Sequence, residues 1–406
     1  MKTAIKEIKV GLDFGSRIQP VGRLAIRNDI IYFEYDNDFL QTELEISPIK
    51  LPLQRGVVEL PRDPFEGLAG VFNDSLPDGW GRLLFDRMLR SEGILPSEVT
   101  PLDRLAHVGL HGLGALVYEP DKSPNFDDEI IDLDVLASQT KEVLEGDSDE
   151  VIAELLALNG SSAGARPKAL IEHNDLKYIA KFSASNDTYS VVKVEYIAMR
   201  LAALCGLTVA PVKLVQASGK DVILIERFDR IKVESGWTRK SMISALTLFG
   251  LSEMTARYAS YEELAQIIRV RFKEPKKDLK ELFKRLVFNI LCGNNDDHAR
   301  NHAAFWDGKD LTLTPAYDIC PQARTGNETT QAMKIIGNNG YSQLKTCLMA
   351  AHHFLLSEKE AIEIFDIFQN IIRDNWDNIC DEAQLTKVDK SLFLGRQFLN
   401  PFSLEY

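Results

Sequence analysis

Apolar and polar positions change their period several times along the chain, and the changes mark its elements. Ile8-Lys9-Val10 alternates, while Gly22-Arg23-Leu24-Ala25-Ile26 and Ile30-Ile31-Tyr32-Phe33-Glu34-Tyr35 flank Asn28-Asp29, so residues 8–36 read as strands with a hairpin turn. Phe72-Asn73-Asp74-Ser75-Leu76-Pro77-Asp78-Gly79-Trp80-Gly81 is dense in turn formers and predicts a cap for a helix around Arg82–Arg90. Residues 104–118 carry His107, His111 and the run Gly112-Leu113-Gly114-Ala115-Leu116-Val117-Tyr118, which predicts a turn into a strand closing a small α+β domain. Residues 119–135 are polar and acidic with two prolines, which makes them the best linker. Apolar residues then recur at Val151, Ile152, Leu155, Leu156 and Leu158, so residues 134–158 read as a helix or two.

A small-residue loop follows, Gly160-Ser161-Ser162-Ala163-Gly164-Ala165-Arg166-Pro167-Lys168, before the strand Ala169-Leu170-Ile171. Such loops let backbone N–H groups approach phosphates, but no GK[ST] is present, and alone the loop reads as an ordinary turn. Lys177-Tyr178-Ile179-Ala180-Lys181-Phe182 alternates as a strand with Lys181 near its end. A helix over Val194–Cys205 carries Glu195 and ends at a Gly206 cap; two strands follow near 209–215 and 221–228. Loop, strand, strand with lysine, helix with glutamate, then two strands is the order of a protein-kinase small lobe. From Ser241 to about residue 290 the pattern is helical, residues 310–335 are loop-rich, and helices resume near 343–353 and 358–379.

The apolar run Phe288-Asn289-Ile290-Leu291-Cys292 stops at Gly293 and opens onto Asn294-Asn295-Asp296-Asp297-His298-Ala299-Arg300-Asn301. Asp296 and Asn301 stand in the Asp-x-x-x-x-Asn register of a kinase catalytic loop, where the acid faces a hydroxyl and the amide oxygen holds magnesium. Asp318, after Leu313-Thr314-Pro315-Ala316-Tyr317, stands where a second metal ligand is expected. Each residue also has a plain reading: turn formers for Asp296 and Asn301, a strand-end lysine for Lys181, a solvated acid for Glu195. Asp297 rivals Asp296, and only the spacing to Asn301 favours the latter. His298 reads equally as an orienting partner of the acid and as a satisfied buried histidine; Arg300 and His302 read as structural or surface groups.

Composition narrows the classes. The chain has 406 residues, 45% of them hydrophobic and 26% charged, enough for globular cores in two or three domains. Its net charge of −13 disfavours unaided nucleic-acid binding, which needs clustered Lys and Arg. The five cysteines form no CxxC pair, so zinc and a disulfide framework are not expected, and the charged N-terminus and the lack of a long apolar run predict a cytoplasmic protein with no membrane partner. Asp13-Phe14-Gly15 spells a kinase metal motif but precedes any catalytic loop. Gly11-Leu12-Asp13-Phe14-Gly15-Ser16 resembles the first phosphate loop of actin-like ATPases, yet no second loop follows, and a plain turn after the first strand is favoured.

Taken together, the Gly293–Asn301 and Leu313–Asp318 segments and the Gly160–Lys168 loop resemble the HipA-like serine/threonine kinases, toxins of bacterial toxin–antitoxin pairs. The Phe72–Gly81 and His111–Ala115 segments resemble the N-terminal subdomain of the long members, so the resemblance spans nearly the whole chain. It implies an α+β, two-lobed protein-kinase-like (phosphoinositide-kinase-like) fold with a mixed α/β N-terminal subdomain and an all-helical C-terminal lobe. The expected division is 1–120 for the subdomain, 121–135 for the acidic linker, 136–232 for the small lobe and 233–406 for the helical lobe. The resemblance implies ATP and Mg2+ as cofactors, Asp296 as catalytic acid/base, Asn301 and Asp318 as metal ligands, and Glu195 as support for Lys181. Contacts to ATP are implied for Ser162, Ala163, Gly164, Ala165, Lys168, Lys181, Glu226, Arg227, Phe228 and His298. It further implies inhibitory autophosphorylation at Ser161 or Ser162, a small helix-turn-helix antitoxin that brings DNA only indirectly, and a protein substrate such as an aminoacyl-tRNA synthetase. The competing reading is a catalytically idle binding module of a repressor complex.

Overall fold

The computed structural model describes residues 5–15, 17–60, 68, 70–77, 79–119, 133–145, 166–183, 187, 189–234, 236–324 and 326–406. The chain forms two compact units. One gathers Met1–Asn186, Val215–Ile243 and Phe305–Lys309; the other gathers Asp187–Leu214, Ser244–Ala304 and Asp310–Tyr406.

The first unit holds two sheets. Strands β1 (Glu7–Asp13), β2 (Ile18–Arg27), β3 (Ile30–Tyr35), β4 (Val57–Glu59) and β5 (Leu116–Glu119) form a five-stranded sheet in the order β4-β3-β2-β1-β5. The expected hairpin is present: Asn28 and Asp29 take φ 52° and 61°, the left-handed pair that a two-residue type I′ turn needs. The expected turn after the first strand is present too, because β1 ends at Asp13. Strands β6 (Lys168–His173), β7 (Leu176–Phe182), β8 (Val212–Ala217) and β9 (Lys220–Glu226) make a four-stranded sheet in the order β6-β7-β9-β8. The helix Gly79–Ser91 turns Trp80, Leu84, Phe85 and Leu89 onto Tyr178, Phe182 and Leu224 of β7 and β9, so helix and sheet share one core. A further helix, Pro101–Val108, starts from a capping box in which Thr100 and Asp103 satisfy each other's backbone amides. The sequence predicts no element between the strand near 221–228 and the helical pattern from Ser241; the structure has a hairpin there, β10 (Arg230–Val233) with β11 (Gly236–Arg239).

The second unit is mainly helical, and includes the predicted Val191–Leu204 helix with Gly206 left-handed at φ 74° just beyond its end. Its central element is the helix Pro275–Cys292. Proline opens its first turn, and Leu279, Leu282, Phe283, Leu286, Ile290 and Leu291 recur at helical spacing on a buried stripe. Phe283 meets Phe354 at a tilt (5.2 Å between ring centroids) and stacks on Phe365 (6.2 Å), residues of the last turn before Ser357 and of the helix Glu358–Glu382. The all-helical expectation needs one addition: β12 (Met242–Ser244), β13 (Ala303–Trp306) and β14 (Leu311–Leu313) form a small sheet in that order. Among the described residues no helix is long and apolar enough to cross a membrane.

Candidate active site

The polar stretch after Cys292 begins as a helix end. Gly293 takes φ 74° and ψ 23°, its amide reaching the Ile290 carbonyl (3.3 Å) while the Asn294 amide reaches the Asn289 carbonyl (2.9 Å), a Schellman termination. A side chain would not fit, since a Cβ on Gly293 would lie 2.6 Å from the Gln397 carbonyl oxygen. Beyond the cap the loop cannot make helical bonds, and a distant segment supplies partners. The carbonyls of Gly293, Asn294 and Asn295 accept from the Gln322 amide (3.0 Å), Gln331 Nε2 (3.1 Å) and the Ala332 amide (2.9 Å). Asn294 Nδ2 donates to Asn289 Oδ1 (3.1 Å), and Asn295 Nδ2 to Thr329 Oγ1 (2.8 Å). Gln322 and the segment Thr329–Ala332, in a region loop-rich in sequence, thus form a strap along the catalytic-loop candidate.

The two rival acids have opposite environments. Asp297 is 2% exposed; Tyr261 donates its hydroxyl to Asp297 Oδ2, and His302 Nε2 lies 3.0 Å from Oδ1. Its carboxylate is therefore engaged inside the unit. Asp296 is exposed, and its carbonyl, not its carboxylate, ties the loop: it accepts from the His298 amide (2.9 Å) and from Asn301 Nδ2 (3.3 Å). That bond uses the nitrogen of the Asn301 side chain, so its oxygen is the atom available to a cation. Desolvation raises the Asp296 carboxyl pKa; His298 opposes the rise and the Asp318 charge adds to it. Two carboxylates that repel each other beside an amide oxygen fit a hard divalent cation, which takes oxygen ligands. Among the described residues no cluster of three His, Cys, Asp or Glu side chains could hold a metal by itself.

Asp318 stands at φ 56°, a left-handed conformation that aspartate tolerates better than most residues. The chain leading to it is fixed. The Ala316 amide donates to the Thr208 carbonyl (2.8 Å), the Ala210 amide to the Ala316 carbonyl (2.9 Å), and buried Arg285 Nη2 to the Thr314 carbonyl (2.7 Å). Tyr317 donates its hydroxyl to the Arg300 carbonyl (2.6 Å), tying the Asp318 segment to the Asp296–Asn301 loop. Arg300 itself pairs with Glu253 at 2.7 Å, and His302 is 2% exposed, as structural readings of both predict.

In the first unit, the antiparallel register sets Lys168 of β6 directly opposite Lys181 of β7. Opposed residues share a face, and these two are only 2% and 7% exposed. Two cations side by side in a poorly hydrated place suit a polyanion such as a triphosphate. Glu226 pairs with Tyr178 at the sheet end, and the Arg227 amide donates to the Lys177 carbonyl (2.8 Å). The Arg227 side chain is buried against Asp229, and Phe228 meets Phe305 edge-on at 5.9 Å. Glu195 lies on the Val191–Leu204 helix of the second unit at 1% exposure. Ser161, Ser162, Ala163, Gly164 and Ala165 lie outside the described residues.

Sequence reasoning did not find Tyr261, the strap residues Thr329 and Gln331, or Asp229. None stands in a local motif; each is identified by a partner far away in the chain, 36 residues for Tyr261 and Asp297. His302 carried a signal only as the second histidine beside the acids.

Comparison with known proteins supplies the context. The HipA N-terminal domain matches residues 16–119, and the HipA-like C-terminal domain matches residues 160–376. A putative kinase of Sinorhizobium fredii is 29% identical over 147 residues, 35% of this chain and 33% of that protein. The serine/threonine-protein kinase toxin HipA of Shewanella oneidensis is 22% identical over 272 residues, 60% of each chain. A putative kinase of Haemophilus influenzae is 26% identical over 198 residues, 43% of this chain and 57% of that one. The matches thus span from a third to three fifths of the curated relatives' lengths. A chain from the solved complex of the Shewanella oneidensis toxin–antitoxin system HipA, HipB and operator DNA shares the fold, with a TM-score of 0.71 at 19% identity over 98% of this chain and 100% of that one.

Proposed function

We propose that this chain, which belongs to the HipA-like family by both its N-terminal and its C-terminal domain, is an ATP- and magnesium-dependent serine/threonine protein kinase of the cytoplasm. The observation that carries the reading is the split between the adjacent acids: Asp297 is engaged by Tyr261 and His302, and Asp296 is exposed beside Asn301. Asp296 accepts or orients the proton of a protein hydroxyl as it attacks the γ-phosphorus. Lys168 and Lys181 take the phosphates, with the Ser162–Ala165 backbone and His298 also contacting ATP. The backbone at Glu226–Phe228 reads the adenine, because the Arg227 side chain is already committed to Asp229. Glu195 orients Lys181. Asn301 and Asp318 hold the magnesium, which when bound supplies charge neutralisation to the phosphates.

The same reading gives the loop serines a regulatory role. Phosphate on Ser161 or Ser162 adds up to about two negative charges where backbone amides receive ATP, and so lowers ATP affinity. The Shewanella neighbour is described with HipB and operator DNA. For this chain we place a small helix-turn-helix antitoxin as partner, which carries it to DNA in line with a net charge of −13. The substrate class is a component of translation, such as an aminoacyl-tRNA synthetase.

The test is incubation with labelled ATP and Mg2+ beside Asp296→Ala, followed by mass spectrometry of the loop. Label on the wild type alone is expected. Phosphate release without labelled protein points to an ATPase, and absence of turnover to an idle binding module.

A further inference from the structure

Two N-terminal motifs that phosphoryl transfer leaves without a role dock on one stretch of chain, residues 226–239. The first is the Asp13-Phe14-Gly15 corner. Asp13 Oδ1 accepts the Gly15 amide (2.7 Å), and Oδ2 lies 2.7 Å from Arg239 Nε on β11. Gly15, at φ 80°, lies so close to the hairpin backbone that a Cβ would stand 2.1 Å from the Trp237 carbonyl oxygen. This corner is a packing device, which is why it spells a metal motif without being placed as one.

The second is the loop before β5. The Leu110 carbonyl accepts from Arg239 Nη2, and the Gly112 carbonyl from both Arg227 Nη2 (3.0 Å) and Arg230 Nη2 (2.6 Å). The Gly114 carbonyl accepts from Arg230 Nη1 (3.0 Å), and the Gly114 amide donates to Asp229 Oδ2 (2.9 Å). The Asp229 carboxylate also takes Arg227 Nε (3.0 Å), Arg227 Nη2 (2.8 Å) and Arg230 Nη1 (2.7 Å). Asp229, Arg227 and Arg230 are 3%, 6% and 8% exposed.

Buried charges of this kind contribute little net stability, because desolvation offsets their attraction. They do penalise any displacement that leaves one unpaired. A network joining segments 115 residues apart therefore tolerates one geometry. Its members overlap and adjoin the stretch assigned to the adenine: the Arg227 side chain belongs to the network while its backbone lies in the Glu226–Phe228 stretch, and Asp229 follows directly.

We infer that the Asp13–Gly15 corner and the Leu110–Gly114 loop clamp residues 226–239 and set the backbone at Glu226–Phe228, with Asp229 as the positioning residue. The N-terminal residues then control affinity for the adenine nucleotide and not the chemical step. The inference rests on the kinase reading, which places the adenine at Glu226–Phe228.

The test uses the full chain with Asp229→Asn and, separately, Arg239→Gln. ADP affinity is read by calorimetry, and KM for ATP and kcat by turnover. Both variants are expected to raise the ADP Kd and the ATP KM about tenfold, the scale of one lost charge-assisted hydrogen bond, with kcat within about twofold of wild type. Unchanged Kd and KM with a lowered Tm overturn the clamp and leave a purely structural network. A fall in kcat at constant KM overturns it as well. Wild type that binds no ADP overturns the kinase reading and the clamp with it. If Asp229→Asn does not fold, Arg239→Gln decides, since its ion pair with Asp13 lies at the edge of the cluster, at 12% and 16% exposure.

Discussion

His302 holds Asp297: its Nε2 lies 3.0 Å from the Asp297 Oδ1, and each side chain is 3% exposed. With Tyr261 on the other carboxylate oxygen, this pairing engages Asp297 inside its unit while the neighbouring Asp296 stays exposed. Asp297→Ala is expected to lower stability by about 2 kcal/mol, because it leaves a buried hydroxyl and a buried imidazole without their acceptor. Asp296→Ala is expected to keep the wild-type Tm and abolish phosphoryl transfer. Thermal unfolding and a labelling assay on the two variants check both. A Tm loss confined to Asp296→Ala would reverse the assignment.

Lys168 and Lys181 face each other across β6 and β7. Lys168→Met and Lys181→Met are each expected to weaken ATP binding about tenfold or more, as removal of a charge-assisted phosphate contact does. Titration with ATP at constant ionic strength measures it, and salt must weaken the wild type more than either variant.

Gly293 carries both a left-handed φ of 74° and a near contact with the Gln397 carbonyl. Gly293→Ala combines the conformational cost with a clash, and is expected to lower unfolding free energy by at least about 2 kcal/mol. Denaturant midpoints at constant m-value would show it. Because this residue ends the helix that presents Asp296, activity should fall with it.

Asp278 gives the fold a pH dependence. Burial pushes its carboxyl up to about 6, against the opposing charge of Lys277. The unfolded group titrates near about 3.9, so between these values the folded protein holds a proton that the unfolded chain has released. The stabilisation is full below about pH 4 and is lost as pH rises through 6. Asp278→Asn, neutral throughout, is expected to gain Tm over wild type above pH 6 and to lose that advantage below about pH 4. Melting curves at several pH values would reveal an absent or inverted trend.

Much of this was legible in the sequence because it is local. The Asn28-Asp29 turn, the end of the Pro275–Cys292 helix at Gly293 and the alternation that puts Lys181 on a strand follow from backbone preference and spacing within a few residues. The register of Asp296 and Asn301 is local too, and with Asp318 it placed the candidate site. The sequence favoured Asp296 over Asp297 only by its spacing to Asn301, because both carry the same carboxylate and stand side by side. The difference in their surroundings came only from the tertiary structure, which brings Tyr261 from 36 residues away onto Asp297. Likewise the hairpin at β10 and β11 was missed, and Asp13-Phe14-Gly15 gained its role only when Arg239 arrived beside it. Burial and pairing are properties of segments distant in the chain, so they depend on how the whole chain packs and leave no mark in any short window of residues.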